Sequence, residues 1–521
     1  MVEPTPSRPL SERLRDGRSM VLWLTAAVVI LRAPGFAAGI ANLDECDFAL
    51  FGRMVQAGAV PYRGVADIKP PLTYLAYHAA ERLAGGPSFA AIHLLGVACI
   101  LATALLLRAA ARAWTGDERA GWAAAWLSVA AIVCESPASN AEILMNVPVA
   151  AALLAGVLAA QRPSLVLDLA SGVALGLASL VKQQAGIGLL AFGLAPFVPS
   201  PSRERRSGVG RAVLRAVAVG AGFALPWAAA IAIASRGDLA AFWDWVLARN
   251  LHQVSDARAH SAWRALGSIG LCVSSAGLVW FLALRRAARA RDEVGVRLTL
   301  LLALTWIPVS IGGRFYEHYF LQFAPPLALL AAPGLVHVLA RWTELGRARR
   351  TAVALLAALP FLGSVGYATA RVLRRDFPGQ QRTALAIAAW LDQHTAPGDR
   401  VFMWGDYSVV YCLADRLPGT RYMRTAPHVG DFDPMQLPPG QRFRYRSERD
   451  IALTLEDLEA NRPAIVVDTS AADLHGWSRF PLSDVPELDR YVQEHYVKIA
   501  DPGGARVYAR RPTALAGTIS P

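Results

Sequence analysis

Apolar runs of bilayer thickness recur along this chain, and they limit its fold more than any motif does. They lie near 20–40, 88–110, 119–135, 143–160, 164–181, 186–200, 212–234, 264–284, 298–312, 318–340 and 351–370. Hydrocarbon offers no water to a peptide group, so a crossing segment must satisfy its backbone internally, which a helix does. At roughly 20 apolar residues per crossing, the expected fold class is an α-helical polytopic membrane protein with about 11 transmembrane helices. Composition agrees, with 54% hydrophobic and 18% charged residues and a mean hydropathy of +0.33. The net charge of +12 is no sign of nucleic-acid binding, because the basic residues fall in short clusters between apolar runs.

Those clusters set an orientation. Arg8 to Arg18, Arg108 to Arg119, Arg203 to Arg215, Arg285 to Arg297 and Arg341 to Arg350 share one side if the runs alternate. That side holds about 22 basic residues against about 10 opposite, which the positive-inside rule reads as cytoplasmic. The assignment depends on keeping the short fifth and sixth runs separate. The chain is expected to divide into a cytoplasmic leader without a fold (1–18), a membrane domain (19–370) with an outer loop at 41–87, a soluble domain (371–512) and a tail (513–521). The first run is too long for a signal-peptide core and reads as a retained anchor. From 371 onward no apolar run is of membrane length. D-R-V-F-M-W-G and P-A-I-V-V-D-T read as buried strands, Thr383 to His394 and Leu455 to Asn461 as helices, and the stretch around D-P-G-G as a hairpin. This small C-terminal α/β domain follows an odd number of crossings, so it is expected outside the cytoplasm. Cys46, Cys134 and Cys412 would then face an oxidising compartment, and a disulfide among them is one option. Cys99 and Cys272 lie inside apolar runs and read as packing residues.

Function concentrates between the first two runs. Asn42 to Leu72 reads N-L-D-E-C-D, a helical stretch, then G-V-A-D-I-K-P-P-L. Charges packed this tightly beside a membrane are costly unless they line a water-accessible site, which nominates Asp44, Glu45, Asp47, Asp67 and Lys69. Four further constellations fall in loops on the same side: Asn140 with Glu142; Lys182 with Gln183 and Gln184; Trp243, Trp245, Arg249, His252 and His260; and Arg314, Glu317, His318 and Tyr319. Of 52 basic residues only Lys69, Lys182 and Lys498 are lysines. Two of these three sit within the polar constellations, where a compact ammonium suits a phosphate. Each residue also has a structural reading. Asp44 and Glu45 would cap a helix starting at Cys46, Lys69 would snorkel, Lys182 would end a span, Glu142 would pair with an arginine, and the tryptophans would form an interfacial belt. Arg32, inside the first run, must face the bundle, as a structural partner or toward an outer phosphate.

Several of these motifs, in this order, resemble the GT-C glycosyltransferases that use lipid-phosphate sugars, nearest to the aminoarabinose-transferase and protein-mannosyltransferase-like families. The resemblance covers roughly the first 340 residues. It rests on the acidic pair Asp44-Glu45, the A-V-P-Y-R turn at Ala59 to Arg63, Lys69-Pro70-Pro71, the N-A-E-x-x-M-x-x-P run at 140–148, the run at 172–183 ending in K-Q, and G-G-R-F-Y-x-H-Y followed by Pro325-Pro326. Asp67 stands where the aminoarabinose enzymes place aromatic residues, which argues against that sugar. The resemblance implies an inverting transfer from a polyprenyl-phosphate sugar to a hydroxyl of a lipid, polysaccharide or protein, at the outer face of the bacterial cytoplasmic membrane. Such a transfer needs a carboxylate to take the acceptor proton, for which Asp44 is the candidate, with Glu45 assisting. It needs cations on the departing phosphate, for which Lys69, Lys182 and Arg314 are candidates. Glu142, Asn140, Asp67, His318 and Tyr319 remain for acceptor or sugar. No cofactor is assigned; a divalent metal, with Asp44 and Glu142 as ligands, is left open. The competing readings are a transporter or flippase for lipid-linked sugars, whose polar residues would lie near the midplane, and a glycan polymerase or ligase.

Overall fold

The structure is a computed structural model that describes residues 17–133, 137–198, 208–251, 262–375, 381–429 and 447–512. The chain divides into two compact units. One comprises Met1–Ala41, Lys69–Ile233 and Ser261–Val372; the other comprises Asn42–Ile68, Ala234–His260 and Leu373–Pro521.

The first unit is helical. Among the described residues, seven helices are long and apolar enough to cross a membrane: Gly17–Ala38, Phe89–Thr115, Ala141–Gln161, Val209–Ala234, Glu293–Ser310, Glu317–Ala340 and Arg347–Leu373. The pair Ala265–Ser275 and Gly277–Ala287, bent by 87°, makes an eighth if counted as one span. The other three apolar runs are shorter than the expected eleven crossings require. Glu118–Ala130 has 13 residues and Leu165–Val181 has 17. The run near 186–200 breaks into a 3-10 turn, the seven-residue helix Gly188–Leu194 and a second 3-10 turn containing Pro196. Lys182 begins that break in an extended conformation (φ −147°, ψ 120°), and the polar K-Q-Q sequence interrupts the helix there.

Small residues set the closest packing. A Cβ on Gly172 would lie 2.0 Å from the Val219 carbonyl oxygen, and one on Gly222 would lie 2.1 Å from that of Leu169. The helices Leu165–Val181 and Val209–Ala234 therefore meet backbone to backbone, and alanine at either glycine would force them apart. Nearby, Arg215 donates to both Asp168 (2.8 and 3.1 Å) and Glu293 (2.9 and 2.8 Å), while Arg297 donates to Glu293 at 2.8 Å. All four side chains are buried. Arg32 faces the bundle, where it donates to Ser139 Oγ at 3.2 Å.

The second unit is built on a five-stranded sheet of β1 (Arg400–Trp404), β2 (Leu417–Pro418), β3 (Ile465–Asp468), β4 (Tyr496–Ala500) and β5 (Arg506–Arg510), in the order β2-β1-β3-β5-β4. β1 runs parallel to β2 and β3, whereas β5 pairs antiparallel with β3 and β4. The β4–β5 hairpin turns at Gly503 and Gly504 (φ +59° and +88°), in the left-handed region open to glycine. Phe402, Trp404, Val466, Trp477, Phe480 and Leu488 fill the core. The helix Gln381–His394 and the strands β1 and β3 fall where the sequence suggests. The helix ending at Asn461 starts earlier than expected, at Glu448, because Ser447 caps it. Pro486–His495 is a further helix with no counterpart among the sequence expectations.

Two interhelical segments belong to this unit. The first holds the helix Leu43–Gln56, capped by Asn42, whose side chain accepts from the Glu45 N–H at 3.1 Å. The second holds the short helix Leu239–Trp243 and a π-turn, Asp244–Ala248. Tyr62, at φ 65°, packs against Phe51 of the first and Phe242 of the second. Cys46 and Cys412 form a disulfide, the pairing the sequence left open; Cys134 lies outside the described residues.

Candidate functional site

The helix Leu43–Gln56 sets the acidic group of the second unit. Its cap is Asn42, so the helix begins at Leu43 and not at Cys46. Asp44 and Glu45 sit in its first turn, where the helix dipole favours carboxylates. Asp44 is half-buried, whereas Glu45 and Asp47 are buried. Asp67 is also buried, and its Oδ1 accepts from the Ile68 N–H at 2.7 Å. Arg424 Nε lies 3.1 Å from Asp47 Oδ2, and its Nη1 lies 3.7 Å from Asp406 Oδ1. Burial pushes the Asp47 carboxyl up to about 7, with Asp67 and Asp44 adding to the rise and Arg424 opposing it. Asp47, Asp406, Asp44 and Asp67 hold Arg424 well above the usual guanidinium range against the cost of its burial. Asp47, Asp67, Trp245, Tyr422 and Arg424 line a small cavity.

The segment around Trp245 is fixed by a second ion pair. Arg249 donates in bidentate fashion to Asp450 (2.9 and 2.7 Å) and covers the Trp245 ring at 4.0 Å. Tyr422 OH donates to the same carboxylate at 2.6 Å. Trp245 is therefore a buried packing residue and not part of an interfacial belt; Trp243 is half-buried against Phe242. His252 and His260 lie outside the described residues.

In the first unit, Lys182 donates to Glu142, and both side chains are buried. The Lys182 ammonium also lies over the Tyr319 ring, 4.3 Å from its centroid. Glu142 thus pairs with a lysine and not with an arginine, and Lys182 ends its helix facing inward. Asn140 is buried at the N-cap position of Ala141–Gln161, and Asn146, one turn beyond Glu142, donates to the Leu321 carbonyl at 2.9 Å. His318 stacks on Tyr316 and meets Tyr319 edge-on. Arg314 is buried. Lys69 is half-buried, and its backbone N–H donates to Tyr74 OH at 3.0 Å. Lys498, in the second unit, is bound to Asp501 at 2.9 Å on the β4–β5 hairpin.

The structure therefore brings together Glu142, Lys182 and Tyr319 in one unit, and Asp47, Asp67 and Arg424 in the other. Sequence reasoning missed Arg424, Asp406 and Tyr422. Only a run of polar residues after β2 (R-Y-M-R) could have drawn the eye. Among the described residues no group of three or more His, Cys, Asp or Glu side chains is placed to hold a metal ion.

Residues 68–229 match the family described as dolichyl-phosphate-mannose-protein mannosyltransferase. A lipid A galacturonosyltransferase from Rhizobium johnstonii is 33% identical over 217 residues, which is 41% of this chain and 42% of that protein. The match thus spans less than half of that relative. In fold, the chain is similar to ArnT from Cupriavidus metallidurans, solved bound to undecaprenyl phosphate. The TM-score is 0.63 over 96% of this chain and 100% of that one, at 16% identity. It is also similar to the archaeal oligosaccharyltransferase AglB from Archaeoglobus fulgidus, solved with an inhibitory peptide and a dolichol-phosphate. Here the TM-score is 0.54 over 95% of this chain and 74% of that one, at 14% identity.

Proposed function

We propose that this chain, a multi-pass membrane protein of the GT-C glycosyltransferase superfamily, moves a sugar from a polyprenyl-phosphate donor to a hydroxyl acceptor. Asp44 takes the acceptor proton as the hydroxyl attacks the anomeric carbon, and the configuration there inverts. Glu45 assists. Lys69, Lys182 and Arg314 neutralise the phosphate that departs with its lipid. Asn140, Glu142, Asp67, His318 and Tyr319 serve the acceptor or the sugar hydroxyls. The observation that carries this reading is that Asn42 caps the acidic helix. Neither Asp44 nor Glu45 is therefore needed as the cap, which supports a chemical role for them beside their favourable place at the helix dipole.

The test is to incubate purified protein with a panel of radiolabelled polyprenyl-phosphate sugars and membrane extracts. Asp44→Asn is expected to lower the transfer rate by about 10²–10⁴, the usual weight of a general base, while folding persists. Near-parent turnover by the folded variant removes Asp44 from the mechanism. We further propose that the acidic helix and the C-terminal domain face outward from the bacterial cytoplasmic membrane. A C-terminal reporter that fluoresces only in the cytoplasm should stay dark, and a bright one reverses the orientation.

A further inference from the structure

An acid–base carboxylate is useful only if its helix is held still, and the helix Leu43–Gln56 is a short element between two chain connections. Inside its own unit it is tied by the Cys46–Cys412 disulfide and, on the side of Asp47, by the stretch Arg421 to Thr425. This stretch is pinned along its length. The Ala66 N–H donates to the Arg421 carbonyl at 2.9 Å, and the Arg421 N–H donates to Asp457 at 2.8 Å. Tyr422 is bound to Asp450. Thr425 exchanges backbone and side-chain hydrogen bonds with Gly405, at 2.9 to 3.0 Å. Gly405 directly follows β1, and Asp406 comes next. The backbone that carries Arg424 is thus locked onto the carboxyl end of the central parallel strand.

From that fixed base the guanidinium reaches Asp47 with Nε and Asp406 with Nη1. Asp47 lies three residues after Asp44, so the two share a helix face. His475 Nδ1 lies 3.4 Å from the other Asp406 oxygen. The charged and polar groups facing Asp47 are Arg424, Asp67, Asp44 and Ser408; those facing Arg424 are Asp47, Asp406, Asp44 and Asp67. One guanidinium therefore pairs closely with a carboxylate of the acidic helix and lies 3.7 Å from the carboxylate that follows β1.

We propose that Arg424 is a positioning residue: carried on a backbone fixed to the carboxyl end of β1 through Thr425 and Gly405, it pairs with Asp47 and so fixes the orientation of the helix that carries Asp44 and Glu45. The C-terminal α/β fold thereby serves the transfer without touching substrate. This role rests on the proposed function for its purpose, but the grip itself does not.

The experiment measures amide hydrogen exchange of the full chain in lipid nanodiscs, alongside transfer kinetics. In Arg424→Gln, amides of 43–56 should exchange faster by about tenfold or more as the buried Arg424–Asp47 ion pair is lost, while those of β1 and β3 hold. Turnover should fall with the donor KM little changed. Arg424→Lys should restore part of both, since an ammonium keeps the charge toward Asp47 but lacks the fork. Unchanged exchange in 43–56 overturns the proposal. If Arg424→Gln loosens β1 as well, Asp47→Ala removes the same contact from the helix side. It must then give the same local rise, and its failure to do so also overturns the proposal. Absence of transfer with every donor tested would defeat the glycosyltransferase reading while leaving the exchange result to decide the grip.

Discussion

Replacing Lys182 by methionine keeps the length of the side chain and removes its charge, leaving Glu142 buried without its ammonium partner. The Glu142 and Lys182 side chains are only 1% and 5% exposed, so little solvent is available to compensate. Breaking such a pair from one side costs about 3–5 kcal/mol, most of it the desolvation of the surviving charge. The lost cation–π contact with Tyr319 adds about 0.5–2 kcal/mol. Lys182→Met/Glu142→Gln removes both charges at once and should recover most of that loss of about 3–5 kcal/mol, because replacing a whole buried pair is often close to neutral. Reversible unfolding in mixed micelles of the parent, both single variants and the double variant gives the coupling directly. Strict additivity of the two single losses would refute the buried pair. The same four proteins separate stability from chemistry. If Lys182 neutralises the departing phosphate, the double variant folds yet binds a polyprenyl-phosphate about ten- to a hundredfold more weakly. Parent-like binding in a well-folded double variant would make Lys182 a structural partner of Glu142 alone.

Two further outcomes follow from the second unit. Asp47 has its carboxyl raised from 3.8 to about 7, so the fold favours its protonated form. Its contribution is complete below 3.8 and is lost as the pH rises through about 7. Asp47→Asn should therefore gain stability relative to the parent as the pH rises from about 5 to about 8, and parallel curves of Tm against pH would contradict the shift. Cys46→Ser with Cys412→Ser should cost about 2–4 kcal/mol, and reductant should lower the stability of the parent but not of that variant. Identical unfolding with and without dithiothreitol would argue against the bond.

Much of this was legible in the sequence where the cause is local. Helices follow apolar runs because lipid leaves the backbone no alternative, and the β4–β5 hairpin follows from D-P-G-G because glycine accepts the turn's positive φ. Hydropathy overestimates the crossings because it averages over the run near 186–200 and passes across the polar K-Q-Q break before it and Pro196 within it. The two-residue β2 was invisible, since it exists only by pairing with β1. The candidate site was legible to the extent that charge beside a membrane is expensive, which picked out Asp44, Glu142 and Lys182. Partners were not. Cys46 and Cys412 are 366 residues apart, and nothing in either neighbourhood specifies the other. Arg424 was hidden for the same reason, being one arginine among many until the sheet aims it.

The Arg215 cluster has a consequence for how the protein is made. Asp168 leaves the ribosome 47 residues before Arg215, which in turn precedes Glu293 by 78. At roughly 5–20 residues per second, each waits several seconds for its partner. The four charges nevertheless sort into two neutral couples, Asp168 with Arg215 and Glu293 with Arg297, the latter one turn apart on a single helix. Each couple can enter the bilayer without net charge, and the Arg215–Glu293 contact then joins two halves already inserted. Nascent chains stalled between Ala234 and Glu293 should integrate the helices Leu165–Val181 and Val209–Ala234 as a pair. With Arg215→Leu, Asp168 should hold its own helix at the interface until synthesis ends.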